Sequence, residues 1–131
     1  MMKILYCGPK GGTCESRKNG LINMGYNVFD FGLEENILTN QKWFQFLEQK
    51  LLNSLNLKRL NHRLLKMTEK IAPDLLWIDK GTYIYPETLK KIKNLTKKIK
   101  IIQHCTDDVE AGTHKFGHYL NSLDLYDAHF T

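Results

Sequence analysis

Three short stretches hold residue types that can do chemistry. Gly8-Pro9-Lys10-Gly11-Gly12-Thr13 joins an apolar run to a helix-forming one. Glycines there let backbone amides approach a phosphate, and a helix N-terminus behind them adds partial positive charge. The stretch is not a P-loop, because the Gly-Lys-Ser/Thr ending is missing. It is not the dinucleotide fingerprint either, because Gly-x-Gly-x-x-Gly is absent. A tight turn that merely needs glycine competes with ligand contact as its explanation.

The second stretch is His104-Cys105-Thr106-Asp107-Asp108, followed by His114 and His118 four residues apart. An acidic pair in a crevice can bind hydroxyls or act as a general base, whereas capping of a helix is the alternative for Asp107 and Asp108. His104, Cys105 and the two aspartates, with Cys7 and Cys14, have no tight metal-ligand spacing, so neither a metal nor a cofactor is expected. The third stretch is Asp79-Lys80-Gly81. A strand ending in Asp-Lys suggests the phosphorylatable aspartate of receiver domains, but the acidic pair those need after the first strand is replaced by Gly8-Pro9-Lys10. Asp79 and Lys80 either pair with each other or bind acceptor groups at a crevice rim.

These stretches lie between regular elements. Lys3 to Cys7 reads as a strand, and Thr13 can cap a helix to about Met24, with Gly25 as its stop. Tyr26 to Phe31 is a second strand. Apolar residues from Asn40 to Ala72 recur at helical spacing, and the length calls for a break near Asn56. Pro73 ends that helix, and Asp74 to Asp79 is a buried-type strand. Pro86 suits the first turn of a helix to about Thr96, Ile99 to Cys105 is a fourth strand, a short helix covers His114 to Leu123, and Ala128 to Thr131 is a fifth strand. Alternating strands and helices predict one α/β domain, a doubly wound, Rossmann-like parallel sheet of about five strands with helices on both faces. The usual order 3-2-1-4-5 sets the first and fourth strands side by side, so the loops after Cys7 and Cys105 are expected to flank the ligand crevice.

The chain has 131 residues, 42% of them hydrophobic and 25% charged, which excludes a disordered chain. No apolar run approaches the ~20 residues of a membrane span, and the N-terminus reads as a core strand rather than a signal peptide, so a cytoplasmic location is expected. Three cysteines without repeated spacing imply no disulfide framework. The net charge is +5, and Lys90, Lys91, Lys93, Lys97, Lys98 and Lys100 fall within eleven residues. Such a run can meet nucleic acid or an anionic membrane. Leu89, Ile92 and Leu95 at helical spacing favour a solvated helix face instead, and without aromatic interleaving no nucleic-acid partner is expected.

Several segments together resemble one family. Ile4-Leu5-Tyr6 with its glycine loop, Ser16-Arg17, Gly25-Tyr26-Asn27-Val28, Pro73 to Gly81, Pro86-Glu87-Thr88-Leu89, Asp107-Asp108 and Leu125 to Phe130 are similar, in this order, to the N-terminal domain of CgeB-like glycosyltransferases. That group has a two-domain GT-B fold and spans essentially the whole of this chain with its first domain. The resemblance implies transfer of a sugar from a nucleotide-sugar donor to an acceptor, in the cleft between two domains and without a bound metal. Gly11, Gly12, Thr13, Ser16 and Arg17 would then face the donor diphosphate. Asp79, Lys80 and His104 would face the acceptor, and Asp107 or Asp108 would be the catalytic base if the enzyme inverts.

The family continues into a second α/β domain for which these residues leave no room, so the expectation is one half of a split or truncated enzyme, inert alone. Two other readings remain. One is a stand-alone flavodoxin-like module that binds a nucleotide or phosphorylated ligand at the glycine loop. The other is an interaction domain that joins a partner protein through its open sheet edge and its basic helix.

Overall fold

A computed structural model describes residues 1–9, 11–32, 55–79, 83–104 and 123–130. Its elements are β1 (Lys3–Gly8), α1 (Gly12–Asn23), β2 (Asn27–Gly32), α2 (Leu55–Ile71), β3 (Leu75–Asp79), α3 (Pro86–Leu95), β4 (Lys100–His104), a 3-10 turn (Leu123–Leu125) and β5 (Ala128–Phe130). All strand pairs are parallel, and the five-stranded sheet runs β2-β1-β3-β4-β5. The α/β class and the Rossmann-like parallel sheet therefore stand. The expected helical stretch before Leu55, and most of the helix expected at His114 to Leu123, lie outside the described residues.

The order of the strands corrects one expectation. β1 and β4 are not neighbours, because β3 lies between them. Asp74, at the entrance to β3, locks this arrangement. Its carboxylate accepts from the Lys3 amide at 2.8 Å, and its own amide donates to the Lys3 carbonyl at 2.9 Å. An alternation of strands and helices leaves strand adjacency open, and this pair of bonds closes it. The direction of the crossovers reverses between β1 and β3, so the crevice opens there rather than between β1 and β4.

Side-chain alternation along each strand divides the two faces. Leu5 and Cys7 of β1, Leu76 and Ile78 of β3 and Ile101 of β4 join Leu60 and Leu64 of α2 and Leu89 and Ile92 of α3 in one buried core. Tyr6 points the other way, where its hydroxyl meets the Cys14 carbonyl of α1 at 3.1 Å. Helices thus lie on both faces, α2 and α3 on one and α1 on the other. Their attachment differs. α3 buries Thr88, Leu89 and Ile92, whereas α1 buries no residue.

The helix ends follow local rules. Gly25, at φ 93°, closes α1 in a Schellman arrangement, with Tyr26 N–H to Leu21 carbonyl at 3.3 Å and Gly25 N–H to Ile22 carbonyl at 3.0 Å. Thr13 does not cap α1. The N-cap is Gly11, with no side-chain cap, and Thr13 lies in the first turn. Pro86 opens α3 at its first turn as expected. On the far side of the core, buried Asn61 donates to the Leu57 and Tyr83 carbonyls, both at 2.9 Å, and accepts from the Tyr85 amide at 2.8 Å. That single amide ties α2 to the entry of α3.

Ala72 ends α2 at φ 49°, the one non-glycine residue with positive φ among those described. Its Cβ crowds the following carbonyl in that conformation, at a cost of about 1 kcal/mol. Glycine removes the clash but gains freedom in the unfolded chain. Ala72→Gly should therefore stabilise the fold by about 0.5 kcal/mol, read as a higher urea midpoint at unchanged m-value.

Candidate functional site

The carboxyl ends of β1, β3 and β4, with helix α1, bring four side chains around one carboxylate. Asp79, the last residue of β3, is 1% exposed. Its Oδ2 receives Arg17 Nη1 of α1 at 2.6 Å and the Tyr6 hydroxyl of β1 in a very close hydrogen bond. Its Oδ1 accepts from Trp77 Nε1 at 3.2 Å and faces His104 Nδ1 of β4 at 3.7 Å. Sheet register explains the gathering, since Tyr6 pairs with Trp77 and Asp79 pairs with His104. A parallel sheet sets such side chains in rows across one face.

Gly8 makes room for this cluster. A Cβ placed there would lie 3.1 Å from the Asp79 Cβ and 3.2 Å from the Tyr6 ring. The close approach, rather than any special φ, explains the residue. Gly11 and Gly12 are different. Their φ angles are 79° and 58°, and a Cβ at either would meet nothing among the described residues within 4 Å. They turn the chain into α1, whose first amides have no intrahelical partner and can receive an anion. Thr13 and Ser16 are exposed on the same first turns, and the Ser16 hydroxyl donates to the Gly12 carbonyl at 3.3 Å.

The charges reinforce one another. Burial opposes the Arg17 cation, but the hydrogen bond to Tyr6 and the attraction of Asp79 outweigh it and raise its pKa. Burial, joined by the hydrogen bond to Asp79, pushes the Tyr6 phenol well above its ordinary value, so Tyr6 remains a donor throughout the physiological range. The Tyr6 and Trp77 rings lie nearly parallel, with centroids 6.2 Å apart. On the opposite sheet face, Gln103 is fully buried. Its Nε2 donates to the His104 carbonyl at 3.1 Å, and its Oε1 has no partner among the described residues.

The residues singled out from sequence fall into three groups. Gly11, Gly12, Thr13, Ser16 and Arg17 share the N-terminal half of α1, and Asp79 and His104 share the strand ends beside it. Arg17 and Asp79, expected to face different substrates, are in direct contact. Lys80, Asp107 and Asp108 lie outside the described residues. Tyr6 and Trp77 were missed, although a polar aromatic inside an apolar strand signals a hydroxyl or indole nitrogen that needs a buried partner. No group of three His, Cys, Asp or Glu side chains among the described residues is placed to hold a metal.

The buried carboxylate and, separately, His129 of β5 each have a measurable consequence. Arg17→Met leaves Asp79 buried without its cation and should cost about 3 kcal/mol in urea unfolding. Asp79→Asn should cost less, about 1–2 kcal/mol, because Arg17 is 22% exposed and regains water. Equal losses for the two variants would contradict the buried-carboxylate account. The second concerns His129 of β5, whose pKa is lowered from 6.5 by burial and, secondarily, by the charge of His104. Between that lowered value and 6.5 the unfolded chain binds more protons than the folded one, so stability falls as pH drops through this window. His129→Gln should flatten that limb of the stability–pH curve.

No family model and no curated protein matches the chain. Among solved structures, a pilus assembly-related protein of Burkholderia pseudomallei aligns at 13% identity and a TM-score of 0.45, over 98% of this chain and 76% of that one. At that distance it bears on neither site nor function.

Proposed function

We propose that the crevice between β1 and β3 binds a phosphorylated, hydroxyl-bearing ligand, and that the chain is the acceptor-side domain of a nucleotide-sugar glycosyltransferase. One observation carries this reading. The open glycine turn, the N-terminus of α1 and the Arg17–Asp79 pair converge at the point where the crossovers reverse. Ligands of open α/β sheets gather at such points.

In this reading the amides of Gly12 and Thr13, with the Thr13 and Ser16 hydroxyls, receive the donor diphosphate. Arg17 balances its charge from the side. Asp79 is saturated with donors and serves as an orienting group, holding Tyr6, Trp77 and Arg17 and facing His104. His104, with 23% of its side chain exposed, turns toward an acceptor hydroxyl. Asp107 or Asp108, just beyond β4 in sequence, removes the hydroxyl proton as the oxygen attacks the anomeric carbon and the nucleoside diphosphate departs. A second α/β domain, joined covalently or as a partner chain, supplies the nucleotide site, and the reaction is placed in the cytoplasm.

The strand order favours a second reading. The sequence 2-1-3-4-5 is that of flavodoxin-like folds, in which the same crevice holds a phosphorylated ligand without a second domain. No helix among the described residues is long and apolar enough to cross a membrane.

Titration of the 15N-labelled chain with uridine diphosphate and with a uridine diphosphate sugar tests both readings. Shifts confined to Gly11, Gly12, Thr13 and Arg17, saturating only at millimolar ligand, are the result expected for one half of a transferase. Saturation at micromolar ligand supports the stand-alone module. Undisturbed amides at these four residues overturn the crevice assignment.

A further inference from the structure

We propose that the outer face of α2 and α3 is a docking surface for an anionic lipid bilayer. From sequence, the lysine run of α3 is by itself a solvated helix face. The structure sets a second basic helix beside it, since α2 and α3 share one core on one face of the sheet. On α2, Lys58, Arg59, Lys66 and Lys70 are exposed, opposite buried Leu57, Leu60, Leu64 and Thr68. On α3 and its following turn, Lys90, Lys91, Lys97 and Lys98 are exposed, opposite buried Leu89 and Ile92.

The charge is concentrated here rather than spread. Residues 55–71 and 86–98 carry ten Lys and Arg against two Glu, Glu69 and Glu87. The whole chain carries 19 against 14, so the remainder carries nine against twelve and is net negative. Counted along the sequence, the positive excess therefore falls entirely within these two segments. Two of their lysines have acidic neighbours among the described residues. Lys66 reaches Glu69 at 3.5 Å and Lys93 reaches Asp127 at 3.8 Å, both in partly exposed pairs that water and salt screen.

The chemistry of the layer favours lipid over nucleic acid. Eight of the ten cations are lysines, compact point charges suited to a diffuse negative potential, and only two are the guanidinium forks that grip single phosphates in pairs. No Phe, Tyr or Trp is exposed on either helix, so His62 and Arg59 are the groups there that could stack on a base, fewer than a nucleic-acid platform uses. Leu95, 43% exposed beside Lys97 and Lys98, is an apolar side chain that can dip below the headgroups while its basic neighbours stay with the phosphates. This proposal rests on charge and exposure alone and is independent of what the crevice binds.

Co-sedimentation with vesicles tests it. The chain should pellet with phosphatidylcholine vesicles containing about a third phosphatidylglycerol and stay in solution with pure phosphatidylcholine. Binding should fall at least tenfold when salt rises from about 0.1 M to about 0.5 M, as the screening length shortens. Combining Lys90→Glu, Lys91→Glu, Lys97→Glu and Lys98→Glu should abolish pelleting while circular dichroism and the urea midpoint keep the fold intact. Lys100→Glu, outside the layer, should change binding less than twofold. Equal binding to both vesicle types, failure to pellet with either, or tighter binding to a single-stranded RNA than to the anionic vesicles at equal salt would each overturn the proposal.

Discussion

A single carboxylate organises the rim of this sheet. Asp79 is removed from water at the end of a central strand, where an unpartnered charge would cost several kcal/mol. It therefore demands donors, and the surrounding chain supplies them from three directions. Tyr6 comes from the adjacent strand, Trp77 from two residues back on the same strand, and Arg17 from the helix above. Gly8 is the steric counterpart of that demand, since a Cβ there would crowd the Asp79 Cβ and the Tyr6 ring. Four residues far apart in sequence thus have their identities fixed by one buried charge.

Most of the elements were legible in the residues, for physical reasons that differ along the chain. β1 and β3 are short apolar runs bounded by glycine, proline and aspartate, and α3 begins at a proline that presets its first turn. Gly25 signals the end of α1 because only a residue free of Cβ crowding closes a Schellman turn without strain. Strand order was not legible. Periodicity reports which face of a strand is buried but not which strand lies beside it, and the bonds between Lys3 and Asp74 join residues 71 positions apart.

The same distinction governs the site. Glycine turns and acidic pairs stand out in a sequence because their chemistry is local. The contact of Arg17 with Asp79, across 62 positions, depends on adjacency and so stayed hidden. Both residues were singled out, yet assigned to opposite substrates, because each was judged beside its own neighbours in the chain. Tyr6 went unnoticed for the converse reason. In an apolar strand it looks like core, and only the structure shows that its ring is core while its hydroxyl belongs to the site.

The two helical layers are held by different forces, and this has a consequence for how the site behaves. α2 and α3 are fastened by apolar burial, which salt does not screen. α1 has no fully buried residue and is pinned by polar contacts, Arg17 to Asp79 at 2.6 Å, Lys18 to Asp30 at 3.0 Å and the Tyr6 hydroxyl on the Cys14 carbonyl at 3.1 Å. The Lys18 pair ends on an exposed carboxylate that salt screens, whereas the Arg17 pair ends on a buried one. The helix whose open N-terminus faces the crevice is therefore anchored through the crevice itself. An anion that draws on Arg17 competes with Asp79 for the same cation, whereas one that rests on the amides of Gly12 and Thr13 leaves the pin intact. Binding at the helix end and docking of the helix are consequently coupled through one guanidinium, with the sign of the coupling set by which of those groups the ligand uses.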